Sequence, residues 1–212
     1  MPRTQRWVVL MVVSALAWSC NSLTDGAGSS ATPTTTDPGG APAIGPDEQA
    51  VYAAVLSQEL SAPSFVIRDA THADAFFGPL ADTLAQVLQQ MHGVAMQTSA
   101  SFLARNAQSQ PLRPEMSLGA PYVLMTDLEL QQLFDPPPGM GVEAGWQAFY
   151  ARYPDAHGII TLSRVGFNAA GDQALVYVGN QSAELGGEGI YFLLNRVGTD
   201  WLVDQQALTW IS

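Results

Sequence analysis

The chain has 212 residues and a mass of 22.6 kDa, room for one domain with a sizeable core. Eight arginines and no lysine face 19 acids, for a net charge of −11. That excludes a P-loop lysine, a Schiff-base lysine and a Ser–Lys dyad, and it leaves no cationic surplus for a nucleic-acid backbone. The single cysteine excludes an internal disulfide and a cysteine-based zinc cluster.

Arg3 and Arg6 precede a twelve-residue apolar run from Trp7 to Trp18. It is too short for a bilayer that needs about 20 residues, and it suits the core of an export signal. Cys20 follows, with Ser19 before it and Ala17 three places before it. The stretch resembles a bacterial lipoprotein signal, which implies cleavage after residue 19 and acylation of Cys20. Trp18 is bulky for its place, and Leu16 sits one position early. Cleavage after Ala17 is the rival reading; it would give a soluble secreted or periplasmic protein with a free thiol. Residues 20–46 are nearly all Gly, Ala, Ser, Thr, Pro and Asp, too poor in apolar surface to offset chain entropy, so they read as a flexible linker. Without the signal, six arginines would face 19 acids, a net charge of −13. Membrane contact would then run through lipid and not through a basic face. The expected organisation is a signal peptide over 1–19, the linker over 20–46 and one globular domain over 47–212.

Pro46 and Asp47 signal a helix start, with Glu48 placed to meet the dipole. Apolar spacing carries that helix to Leu60, before Ser61, Ala62 and Pro63 end it. Residues 64–67 read as a short strand. Leu80, Leu84, Val87, Leu88 and Met91 mark a second helix by their 3.6 period, with Gly93 as a break, and a third ends near Asn106. Residues 122–125 read as a strand. Thr126 and Glu129 form a capping box that opens a helix to Phe134, stopped by Asp135 and the prolines after it. A further helix covers 143–153. From Gly158 the period falls to two, and 159–167, 174–178, 190–194 and 201–203 into 207–211 read as four or five strands. Their short connections predict antiparallel neighbours. The expected class is α+β, with N-terminal helices packed on a C-terminal antiparallel sheet.

The segments Ser163-Arg164-Val165-Gly166-Phe167-Asn168, Gln173-Ala174-Leu175-Val176-Tyr177-Val178-Gly179 and Gly189-Ile190-Tyr191-Phe192-Leu193-Leu194, with Trp201 and the final Thr209-Trp210-Ile211-Ser212, resemble a family of bacterial exported proteins. The likeness covers about the last sixty residues, with 143–154 as a weaker leader. It implies no reaction. It also implies a cysteine pair in the glycine-rich loop of related chains, where this one has Ser182 and Gly186. Cystatin-like and NTF2-like sheets are analogues in shape alone.

The run Gly186-Gly187-Glu188-Gly189 opens a strand and not a helix, so it is no phosphate cradle; a wide hairpin with positive φ is the simpler reading. Asp155 and His157, two apart, have the types for base work or a metal, against the simpler reading of a turn histidine beside a solvated acid; His72 and Asp74 read the same way. Arg164 lies in an apolar run and predicts an ion pair, with Asp172 or Asp204 as partner, ahead of anion binding. Trp146, Tyr150, Tyr177, Tyr191, Trp201 and Trp210 are candidates for a concave aromatic ligand surface, against an ordinary core role. The sequence yields no assembled catalytic set, no metal site and no cofactor. The expectation is a membrane-tethered envelope lipoprotein that binds a partner or small ligand, with Asp155, His157, Arg164, Tyr177 and Trp201 as candidate binding residues. The alternative is a secreted or periplasmic hydrolase acting on an envelope polymer, using Asp155, His157, Arg164 and a carboxylate from the 127–143 region.

Overall fold

The computed structural model describes residues 43–60, 62–73, 79–135 and 141–212. The expected signal peptide, Cys20, the expected linker up to residue 42, Asp74 and the prolines at 136–138 lie outside the described residues. Helix α1 (Pro46–Val55) starts on Pro46 with Asp47 and Glu48 in its first turn, then widens into a π-helical turn, Leu56–Leu60. That turn sets Gln58 against the sheet: its amide donates to the Trp201 carbonyl (3.1 Å) and accepts from the Val203 N–H (3.3 Å). Strand β1 (Ser64–Arg68) is followed by α2 (Leu80–Gln90) and α3 (Met96–Arg105), parted around Gly93 at φ +73°. Two glutamines pin this corner. Gln173 accepts from the Ala95 N–H (2.7 Å) and the Thr98 hydroxyl (2.9 Å), and Gln205 exchanges hydrogen bonds with the His92 backbone. Strand β2 (Tyr122–Met125) leads to α4 (Asp127–Phe134), opened by the expected Thr126–Glu129 capping box, and to α5 (Val142–Arg152). Then come β3 (Ala156–Leu162), β4 (Gly166–Phe167), β5 (Gln173–Ala183), β6 (Gly186–Val197) and β7 (Asp200–Ile211).

The mixed α+β class is as expected, but the sheet is larger than four or five strands. Seven strands join in the order β2-β1-β3-β5-β6-β7, with β4 beside β5. The extra strands are β1 and β2, which pair in parallel with each other, while β1 also pairs in parallel with β3; the rest is antiparallel. Parallel pairing needs crossovers, and the helices between β1, β2 and β3 supply them. The expected strand over 159–167 is broken at 163–165. There the Ser163 hydroxyl takes the Tyr177 N–H (2.8 Å), and the Arg164 side chain leaves the sheet for a carboxylate.

Alternation along the strands sorts the core into two faces. One face, built on Phe65, Ile67, Ile160, Leu162, Val176, Phe192 and Trp201, packs against Val51, Tyr52, Val55 and Leu56 of α1 and its π turn. On the other, two helix pairs each claim a separate part. α2 and α3 place Leu84, Val87 and Phe102 on Leu175, Tyr177, Tyr191 and Leu193, whereas α4 and α5 cluster Trp146 and Phe149 with Val66, Met125 and Ile159. No described helix is long and apolar enough to cross a membrane.

Candidate binding groove

Arg164 is buried, with its side chain 3% exposed, and its partner is Glu48 in place of Asp172 or Asp204. Its Nε and Nη2 donate to the two carboxylate oxygens at 2.8 and 3.0 Å. Arg105 donates to the same carboxylate at 2.5 Å, the Val165 N–H at 2.9 Å and the Tyr52 hydroxyl at 3.1 Å. The single Tyr52 O–H is shared with the nearer Ser163 carbonyl (2.8 Å), and Asn106 holds the Arg164 backbone by its N–H (2.8 Å) and its carbonyl (2.9 Å). A carboxylate so placed satisfies the rule that a buried charge must be paired and hydrogen-bonded. Burial, then the charge and hydrogen bond of Glu48, push the Tyr52 phenol well above its usual range. Burial opposes the Arg164 charge, but the hydrogen bonds and charge of Glu48 outweigh it and move that guanidinium upward. This cluster joins α1 to the 163–165 break; it is a clamp.

The other candidates do not meet at Arg164. Asp155 and His157 are solvent-exposed at the start of β3. Trp201 belongs to the core on the α1 face, where Arg196 lies over its ring at 5.5 Å, and Tyr177 belongs to the core on the opposite face. Among the described residues no three His, Cys, Asp or Glu side chains gather where a metal ion would sit.

Tyr177 does border a groove, together with Trp146 and Trp210 of the aromatic candidates. The two helix pairs leave part of their face of the sheet uncovered, and two adjoining hollows occupy it. The first, about 310 Å³, is walled by Leu130, Phe134, Val142 and Trp146 of α4 and α5, with Glu184 at the β5–β6 turn. The second, about 300 Å³, is bounded by His72, Tyr177, Gly179 and Trp210. Arg68, Ile159, Thr161 and Gln181 line both. The register explains this shared floor: Ile159 pairs with Gln181 and Thr161 with Gly179, so their side-chain positions fall on one face. Arg68 ends β1 on that face and pairs with Asp127 at 2.6 Å; the two side chains are 31% and 68% exposed. Tyr150 pins α5 over the end of β5 by donating to the Ser182 carbonyl (2.8 Å).

The glycine run builds the far end. β5 and β6 join by a tight turn at Glu184 and Leu185, and none of Gly186, Gly187 and Gly189 has a positive φ, which corrects the wide-hairpin expectation. The glycines serve close approach instead. A Cβ on Gly189 would collide with Trp210 Nε1 and lie 2.6 Å from Tyr177 Oη, and one on Gly187 would lie 3.0 Å from Trp210 Cζ3. The indole therefore lies across both glycines, its Nε1 donating to Tyr177 Oη at 3.0 Å. The Ser182 hydroxyl donates to the Gly186 carbonyl across the turn (3.0 Å).

Two further hollows lie on the α1 face. The larger, about 430 Å³, has Glu59, Glu188 and Gln206 as its polar lining beside Leu60, Ile190, Phe192 and Leu208. The other, about 220 Å³, sits at Arg105 and Arg164 beside the clamp. The groove combines aromatic rings, an arginine and hydrogen-bonding side chains with an apolar end, the make-up of a small-molecule site. Comparison of the chain with protein-family models, with curated proteins and with solved structures found no match.

Proposed function

We propose that this protein is an exported α+β domain, moored to a membrane by lipid on Cys20, that holds a small ligand in the groove between α4–α5 and the sheet. The helices act as walls and the sheet as floor. The observation that carries the binding reading is the pair of adjoining hollows sharing Arg68, Ile159, Thr161 and Gln181. Asp155 and His157 are not among the groove's lining residues, so the hydrolase reading lacks its acid–base pair there. The apolar run before Cys20 and the Gly-, Ser-, Thr- and Pro-rich stretch after it support the anchored location.

Two measurements test this reading. Cys20→Ser is expected to abolish acyl labelling and to release the protein from the membrane fraction; labelling that persists in the variant contradicts the anchor. A small-molecule library screened by thermal shift is expected to give hits that Val142→Asp weakens. Val142 is the first residue of α5, where an acidic side chain suits the helix dipole, so that variant keeps its fold. Hits indifferent to Val142→Asp contradict the groove.

A further inference from the structure

The sheet ends in two strands of unequal length. β2, at one edge, has four residues, and β7, at the other, has twelve. No strand lies beyond β7 among the described residues. A long open edge offers its outward N–H and C=O groups to any strand that meets it, and a short edge does so far less. β7 therefore needs a protection that β2 does not. Bulges at Asp204 and Thr209 bend it, and Asp200 and Asp204 are exposed along it. The run 205–208 is bent at both ends, but the run 200–203 meets a bulge at one end only.

We infer that Gln58 guards that second run: its carboxamide stands where the backbone of a next strand would lie and keeps β7 from pairing with a second copy of this chain. In an extended strand the C=O of one residue and the N–H of the next but one point to the same side. Gln58 takes both, Nε2 donating to the Trp201 carbonyl (3.1 Å) and Oε1 accepting from the Val203 N–H (3.3 Å). One residue of a neighbouring strand would make the same two contacts. The π turn at Leu56–Leu60 carries Gln58 there, and the residue is exposed, so losing its amide opens the strand to solvent or to another strand. Leu202, between the two bonded groups, is 45% exposed and would add apolar surface to the freed backbone. A second copy brings an identical open edge, which makes self-association the outcome that Gln58 blocks.

Sedimentation equilibrium of the full chain in a Cys20→Ser background, where no lipid contributes, tests this. Gln58→Ala is expected to self-associate more tightly than the parent by roughly tenfold, the worth of about two backbone hydrogen bonds. Gln49→Ala is the control. It removes α1 contacts of the same kind, to the Ile44 carbonyl (3.2 Å) and from the Ser117 N–H (2.8 Å), neither of them on β7. It is expected to associate no more than the parent. Hydrogen exchange locates the contact: in Gln58→Ala the Val203 N–H exchanges faster than in the parent at low concentration and slows again as concentration rises, because a second strand replaces the lost acceptor. Gln58→Ala associating like the parent overturns the guard. Equal association of both variants overturns it too, since lost stability then accounts for the effect. So does association that leaves the Val203 N–H unprotected, which puts the contact elsewhere.

Discussion

On the α1 face of the sheet Glu48, the one buried carboxylate among the described residues, meets donors from Tyr52, Arg105, Arg164 and Val165, and its side chain is 2% exposed. On the opposite face Arg68 meets a single carboxylate, Asp127, beside two hollows. Both are arginine–carboxylate contacts on the same seven-stranded sheet, yet they do different work. The first is desolvated and held on all sides, which suits a clamp; the second is half-open and set among polar side chains, which suits recognition. Burial and the number of partners separate the two roles, where the residue types alone do not.

Substitutions can break that contrast, and the largest effect belongs to the clamp. Arg164→Ala leaves Glu48 buried with one guanidinium fewer and is expected to cost about 3–5 kcal/mol in urea unfolding. A loss below about 1 kcal/mol would place Arg164 among surface pairs. Gly189→Ala drives a methyl into the Trp210 ring and should cost about 1–3 kcal/mol, with a shift in tryptophan emission as the indole leaves Tyr177.

Tyr52→Phe removes the hydrogen bonds to Ser163 and Glu48 and should cost about 1 kcal/mol. It also changes the alkaline limb. The Tyr52 phenol is raised in the folded state, so the unfolded chain loses that proton first. Its contribution is complete below the ordinary phenol range near 10 and disappears as pH rises through the folded value. Stability measured at rising pH above about 10 should therefore fall more steeply in the parent protein than in Tyr52→Phe. The smallest effect is Arg68→Gln, expected to shift stability by under about 1 kcal/mol while weakening groove ligands. A large loss of stability there would make Arg68 a second clamp.

Much of the fold is legible in the residues. The 3.6 period of α2, the Thr126–Glu129 box of α4 and the two-residue period after Gly158 depend on neighbours within a turn or a hairpin, so local reading reaches them. The places of β1 and β2 are not legible, because parallel partners lie across helical crossovers and leave no local mark. Arg164 announces its need for a partner through its apolar setting. Glu48, 116 positions away, looks like an ordinary first-turn acid because its burial arises only when α1 docks. The glycines show that something approaches closely, but that Trp210 is the visitor depends on the β6–β7 register. The groove is the least legible feature, since it is a gap between two helix pairs and its lining comes from β1, β3, β5, β7 and two helices.

The most direct test of the assignment of roles to the two faces is amide chemical-shift mapping of the protein titrated with a hit from the thermal-shift screen. The account predicts shifts concentrated at Arg68, Ile159, Thr161, Gln181 and Trp210, with Glu48, Tyr52 and Arg164 unmoved. Shifts centred on Glu59, Ile190 and Leu208, or on the Glu48 clamp, would contradict it and move recognition to the α1 face.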